Sequence, residues 1–176
     1  MTEIAKATAL GEIMQMAFVP QDFEASLQYW LKMGAGPFFV LLDKTSDWCR
    51  AYGESIDLTL DVALGNWGDM QIEIIRQKSD ARTIYSDWRA RGKEGVHHVC
   101  IVVGDFAAAR RQCIDNGFTL LHEAGYRGAE WAYFDTHGGD GTMLEIVCSA
   151  PGSLGMSTVT REAARDWDGS DPVRYL

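Results

Sequence analysis

Four polar residues stand inside otherwise apolar, strand-like runs of this 176-residue chain: Gln15, Glu73, His98 and Glu145. Side chains alternate faces along a strand, so each run divides by parity. Gln15, Ala17 and Val19 lie opposite Met14, Met16 and Phe18, while Gln71 and Glu73 lie opposite Ile72 and Ile74. His98, Cys100 and Val102 lie opposite His97, Val99, Ile101 and Val103, and Glu145 lies opposite Leu144 and Ile146. Each candidate occupies the face away from the bulky apolar side chains. A carboxylate enclosed in such surroundings is strongly destabilised unless a cation or good donors compensate it. Two of them ask for a shared positive charge, which a divalent metal ion supplies. An imidazole nitrogen, an amide oxygen and two carboxylates suit zinc, nickel, cobalt, manganese or iron, with positions left for water or substrate.

Taken singly, each residue has a plainer explanation: a strand Gln bonded to backbone, a satisfied core histidine, a Glu on an exposed edge. An internal repeat joins them. Residues 15–34, QMAFVPQDFEASLQYWLKMG, align without a gap on residues 98–117, HVCIVVGDFAAARRQCIDNG, at an offset of 83. Gln15 falls on His98, Asp22 on Asp105, Phe23 on Phe106 and Gly34 on Gly117. Each segment reads as a strand, an Asp suited to cap free helix N–H groups, a helix, and a Gly able to end it at positive φ. Further on, GDMQIEIIRQ (68–77) aligns with DGTMLEIVCS (140–149) at an offset of 72, placing Glu73 on Glu145. His122 and His137 have no symmetric partner and are expected near loops.

These anchors require two βαβββ modules in an α+β fold, a curved mixed sheet enclosing a metal-binding cavity. Residues 12–78 form the first module and 95–149 the second. IDLTLDVAL (56–64) alternates as a strand and GNWGD (65–69) turns into the next; GPFFVLLD, FTLLHE and AEWAYFDT supply others. The linker 79–94 contains a helix capped by Ser79 or Asp80 and stopped by Gly92. The tail 150–176 offers TREAARDW as a short helix carrying Trp167, expected to pack on the domain or on a partner subunit. Loops 43–55 and 123–130 have no conformation that local patterns fix.

Charge and composition narrow the function. With 16 Lys and Arg against 25 Asp and Glu, the net charge of -9 repels a polyanion, so no nucleic-acid role is expected. Met1 to Leu10 lacks a signal-peptide pattern and no run approaches a membrane span, so the expectation is a cytoplasmic protein. Cys49, Cys100, Cys113 and Cys148 form no CxxC pair and are read as structural. Trp48, Tyr52, Trp67 and Trp131 are candidates to line an apolar pocket, or ordinary packing residues.

The paired modules, the GVHHVCIVVGDF segment and the MLEIV strand resemble the vicinal oxygen chelate superfamily, which contains glyoxalases, bleomycin-resistance proteins and extradiol dioxygenases. The resemblance covers about residues 12–149 and implies metal ligands at Gln15, Glu73, His98 and Glu145. The order Gln, Glu, His, Glu is similar to that of eukaryotic-type glyoxalase I; methylmalonyl-CoA epimerase has His, Gln, His, Glu. Val19 and Glu94 stand where glyoxalase I carries the arginines that hold glutathione, which argues against a glutathione substrate. Gln15 stands where an extradiol dioxygenase needs its first iron-binding His. The resemblance therefore implies a metal-dependent isomerase, epimerase or lyase acting on a small organic acid, lactone or aromatic catabolite. The metal would polarise a substrate oxygen while a base, Glu145 first and Glu73 second, removes the adjacent proton. The alternatives are a bleomycin-resistance-type sequestering protein, a dioxygenase, or a scaffold serving only in assembly. A homodimer is expected by the same resemblance, with ligands from one chain or from two.

Overall fold

In the computed structural model, which describes residues 7–176, a single 3-10 turn (Ala7–Leu10) leads into the first unit. That unit runs β1 (Ile13–Phe18), α1 (Phe23–Lys32), β2 (Phe38–Lys44), a hairpin of β3 (Trp48–Ala51) and β4 (Glu54–Ser55), β5 (Leu60–Trp67) and β6 (Met70–Gln77). After α2 (Ile84–Ala90), the second runs β7 (Val96–Val102), α3 (Phe106–Asp115), β8 (Thr119–Tyr126), β9 (Ala129–Asp135) and β10 (Met143–Cys148). The tail adds α4 (Met156–Ala164) and β11 (Val173–Tyr175). The reading of Met1 to Leu10 as lacking a leader falls mostly on residues 1–6, outside the described residues. Among the described residues no helix is long and apolar enough to cross a membrane.

The repeat is written into the local chemistry. Asp22 accepts a hydrogen bond from the Ala25 N–H and Asp105 from that of Ala108, both at 2.9 Å, satisfying otherwise free donors at the starts of α1 and α3. Gly34 and Gly117 follow the two helices at φ 89° and 82°, where a side chain would be strained. α1 buries Phe23, Leu27 and Trp30 against Ile72 and Ile74; α3 buries Phe106, Ala109 and Cys113 against Ile101 and Ile146. These contacts hold the two helices on the outer face of the sheet.

The eleven strands form one sheet in the order β11-β2-β5-β6-β1-β7-β10-β9-β8-β3-β4. β1 and β7 meet antiparallel at its centre, and each has a parallel outer neighbour, β6 and β10. The register obeys the sequence offsets. Gln15 opposes Cys100 and Ala17 opposes His98, pairs that interchange on adding 83 to the first residue of each. Ile13 opposes Ile101 and Phe18 opposes Val96, so both ladder irregularities, at Met14 and His97, are repeat-related as well. Ala17 opposite Glu73 corresponds likewise to Cys100 opposite Glu145. The α+β class, the repeated units and the curved mixed sheet are as expected; the sheet is open rather than closed on itself.

Several boundaries differ from the sequence reading. α2 starts at Ile84 under a Thr83 cap, because the Gln77 side-chain amide donates to the Ser79 and Ala81 carbonyls and holds that stretch out of a helix. Gly92 ends the helix region at φ 63° as read. β5 begins at Leu60 and its turn to β6 is only Gly68–Asp69. Segments 43–55 and 123–130 are not simply loops: β3 pairs antiparallel with β8, Cys49 opposite Ala124, so the first unit's hairpin extends the second unit's edge. His122 is therefore buried in β8, not near a loop, while His137 does lie in one. The tail helix starts earlier than TREAARDW, leaving Trp167 beyond it with its ring against Gly36, and β11 joins the sheet beside β2.

The inner face is covered at both ends by elements outside the two units. Ile84, Tyr85 and Trp88 of α2 pack with Cys49 of the hairpin, Ile75 and Tyr133. α4 lies against β5 and β6 at the other end.

Candidate metal centre

The central ladders decide which side chains converge. Ala17 lies between Glu73 on one side and His98 on the other, and Cys100 lies beside Glu145. Glu73 Oε2 stands 3.4 Å from His98 Nε2, and Glu145 Oε2 stands 3.2 Å from the same nitrogen. Each of the three residues offers a ligand atom within 4.8 Å of the others, and His98 is fully buried. Two donors each about 2.1 Å from one ion, at angles of about 90–109°, lie about 3.0–3.4 Å apart. The two separations from His98 meet that requirement.

Gln15, two residues from Ala17 on the same face, is also buried. Its Oε1, together with Glu73 Oε2 and His98 Nε2, is enclosed without a hydrogen-bond partner. The contacts around His98 Nε2 are close enough for ion pairing but lack good hydrogen-bond alignment. Polar atoms so buried are ordinarily satisfied. Two such atoms, Glu73 Oε2 and His98 Nε2, stand together, and a third lies on Gln15 of the same sheet face, an arrangement that fits a cation.

The other ring nitrogen of His98 and the amide nitrogen of Gln15 are occupied. His98 Nδ1 lies 2.9 Å from His97 Nδ1, and His97 Nε2 lies 3.3 Å from the Ile84 carbonyl. An ion on His98 Nε2 would displace the proton there, leaving Nδ1–H to donate to His97 and the His97 Nε2–H to donate to Ile84, so that every ring nitrogen has one role. Parity had placed His97 on the outer face; the bulge turns it instead against α2, beside Tyr85 and Trp88. Gln15 Nε2 donates to Gln71 Oε1 at 2.6 Å, and Gln71 Nε2 donates to Thr160 Oγ1 at 2.7 Å.

Burial pushes the Glu73 carboxyl up, an effect that the nearby His98 only partly offsets. Burial acts on Glu145 in the same direction, but His98, Cys100 and Tyr133 outweigh it and hold its carboxyl low. Burial alone would depress His98; Glu145 and Glu73 reverse the direction and bring it up to about 9. Repeat-related carboxylates thus have unlike proton affinities. Tyr133, opposite Glu145 in the β9–β10 ladder, sets its ring edge-on to His98 with centroids 5.0 Å apart. Burial keeps Tyr133 and Tyr85 protonated.

A thiol and an imidazole also meet, Cys49 Sγ lying 3.4 Å from His122 Nε2. Burial raises Cys49 to about 11 and lowers His122 to about 4, so both are neutral and the pair is no thiolate nucleophile. The cysteines are all free. An open cleft of about 750 Å³ follows α2, lined by Tyr52, Trp88, Arg91, His97 and His137 among others, but by none of the cluster residues. Of the candidate pocket aromatics, Trp48 and Trp67 are exposed and Trp131 packs on the inner cluster under Lys44.

Sequence reasoning located Gln15, Glu73, His98 and Glu145, of which the structure clusters the last three and places Gln15 on the same face. It missed Gln71, His97, Tyr133 and Thr160. Gln71 alone carried a signal, sharing the face of Glu73.

The fold is similar to solved structures. A hypothetical protein from Bacillus halodurans C-125 superposes with a TM-score of 0.56 at 15% identity, over 82% of this chain and 98% of that one. A methylmalonyl-CoA epimerase variant from Streptomyces coelicolor, in complex with 2-nitronate-propionyl-CoA, gives 0.56 at 18% identity over 83% and 99%. The epimerase from Mycobacterium tuberculosis gives 0.52 at 15% identity over 79% and 88%. No curated protein matches the chain. A family model matches residues 14–134, from β1 through the linker into β9, so that β10 and Glu145 lie beyond the matched residues. The chain belongs to the Glyoxalase/Bleomycin resistance protein/Dioxygenase superfamily.

Proposed function

We propose that this protein is a metal-dependent isomerase, epimerase or lyase that relocates a proton beside an oxygen of a small organic acid, lactone or aromatic catabolite. Gln15, Glu73, His98 and Glu145 are the ligands for one divalent ion. The observation that carries this reading is the convergence of two repeat-related, enclosed carboxylates on one histidine nitrogen, with unsatisfied donor atoms beside it. When bound, the ion polarises a substrate oxygen and acidifies the neighbouring C–H.

Glu73 and Glu145 handle the proton. They come from opposite sides of the β1–β7 seam, so one can accept a proton while the other returns it. Glu145 was the first choice as base from sequence. Cys100, Tyr133 and His98 hold the Glu145 carboxyl low whereas burial raises that of Glu73, so a Glu73 carboxylate released from the ion on substrate binding is the favoured acceptor. The enclosing Tyr133 and Tyr85 limit water around the pair. The fold relatives named as methylmalonyl-CoA epimerases support proton transfer as the reaction type.

The test is solvent exchange. Metal-loaded protein is incubated in D2O with panels of 2-branched acyl thioesters, 2-hydroxy acids and enolisable lactones, and deuterium incorporation is followed by mass spectrometry. Incorporation that Glu73→Gln and Glu145→Gln suppress is the expected result. Exchange that survives both substitutions contradicts the assignment.

A further inference from the structure

The C-terminal helix lies beyond the residues matched by the family model, yet one of its side chains is tied to the candidate metal centre. Thr160 is fully buried, and its Oγ1 lies 3.4 Å from the Ser157 carbonyl one helical turn back and 2.7 Å from Gln71 Nε2. Gln71 Oε1 in turn accepts from Gln15 Nε2 at 2.6 Å. Gln15 Oε1 is left buried and without a partner.

The direction of this chain matters because an amide can turn over. Only the oxygen of Gln15 can ligate a cation; the NH₂ group would repel it. A primary amide flipped at both Gln71 and Gln15 would make the same number of hydrogen bonds with the wrong end facing the centre. What breaks the tie is the Thr160 hydroxyl. Its single proton goes to the Ser157 carbonyl, as in other helical Thr residues that bond back along the helix, and its lone pairs then face Gln71. Gln71 must present NH₂ to Thr160 and oxygen to Gln15, and Gln15 must present oxygen to the cluster. The second unit has no such device: Met143 is the repeat counterpart of Gln71, and His98 is oriented by His97 instead.

We infer that Thr160 and Gln71 are positioning residues that set the amide of Gln15 oxygen-first toward the metal, making the C-terminal helix part of the metal centre. The inference rests on the metal-site reading above. It assigns the tail a function other than covering the sheet.

The test uses the full-length protein and Co²⁺ alone, whose visible absorption bands report the donor set. Thr160→Val keeps the shape but removes the hydroxyl, Thr160→Ser keeps it, and Gln15→Glu supplies a carboxylate that offers oxygen in either orientation. Thr160→Val weakens Co²⁺ binding by about 10–100-fold, the usual effect of losing an orienting partner, and alters the absorption spectrum. Thr160→Ser binds as the parent does, and the Thr160→Val effect disappears in the Gln15→Glu background. Thermal unfolding followed in parallel establishes that each variant is folded. Unchanged affinity in Thr160→Val overturns the inference while leaving the metal site standing. An equal loss in the Gln15→Glu background also overturns it, since the helix would then act only through stability. A parent protein that takes up no Co²⁺ overturns both the inference and the reading beneath it.

Discussion

Glu73 and Glu145, carried by strands on opposite sides of the β1–β7 seam, approach a single nitrogen of His98 at 3.4 and 3.2 Å. The relationship follows from the repeat. Each Glu lies beside the same ladder position of its own unit, Ala17 or Cys100, and the antiparallel seam sets those positions close together. A fold that duplicates one module and joins the copies back to back thus concentrates negative charge on its own axis.

His97 determines which nitrogen His98 can offer. Replacing it with Leu removes the acceptor 2.9 Å from His98 Nδ1 and frees the ring to turn. His97→Leu should weaken divalent metal binding by about 10–100-fold. His97→Asn, whose side-chain oxygen can occupy the place of Nδ1, should retain most of it. Titration with a competing chelator measures both, and equal losses in the two variants would refute the hydrogen-bond role.

His122 should make the protein acid-labile. Its folded-state pKa is lowered to about 4 from an ordinary 6.5, chiefly by burial. As pH falls below about 6.5 the unfolded chain takes up the proton first, so stability declines down to about pH 4 and is fully present above 6.5. The contribution is about 3 kcal/mol at most. Urea unfolding of His122→Leu across this range should show a shallower pH dependence than the parent; an identical slope would show that other groups dominate.

Asp61 is a buried carboxylate whose charge is a structural requirement. Burial raises its proton affinity, but the Asp43 N–H and the Arg76 guanidinium, at 2.9 and 2.7 Å, outweigh that effect and hold it low. Asp61→Asn should cost about 2–4 kcal/mol at neutral pH by leaving Arg76 with only Glu24. Because the folded pKa is depressed, the difference from the parent should be full above the ordinary carboxylate range and shrink as pH falls through the lowered value. Chemical denaturation at neutral and strongly acidic pH checks both statements.

The fold and three of the clustered site residues were legible because their signals are local and periodic. Capping Asp, apolar alternation and stop Gly recur at fixed offsets, and those offsets reappear unchanged in the strand register. The β3 to β8 pairing was not legible, since a hairpin that crosses to the other unit's edge satisfies long-range hydrogen bonds and leaves no short-range pattern. The position of His97 was misread because a bulge reverses the parity on which the face assignment depended. Thr160 lay in a segment with no repeat partner, and its role arises only from contact with Gln71 across 89 positions of sequence.

Glu73, His98 and Glu145, with Gln15, are proposed to hold one metal ion. Elemental mass spectrometry of the purified parent, Glu73→Gln and Glu145→Gln proteins tests this most directly. The structure predicts about one divalent metal per chain in the parent and loss of that metal in both variants, with all three proteins folded. A parent that carries no metal after loading with zinc, nickel, cobalt, manganese or iron would contradict the claim and favour a protein that sequesters a small molecule without one.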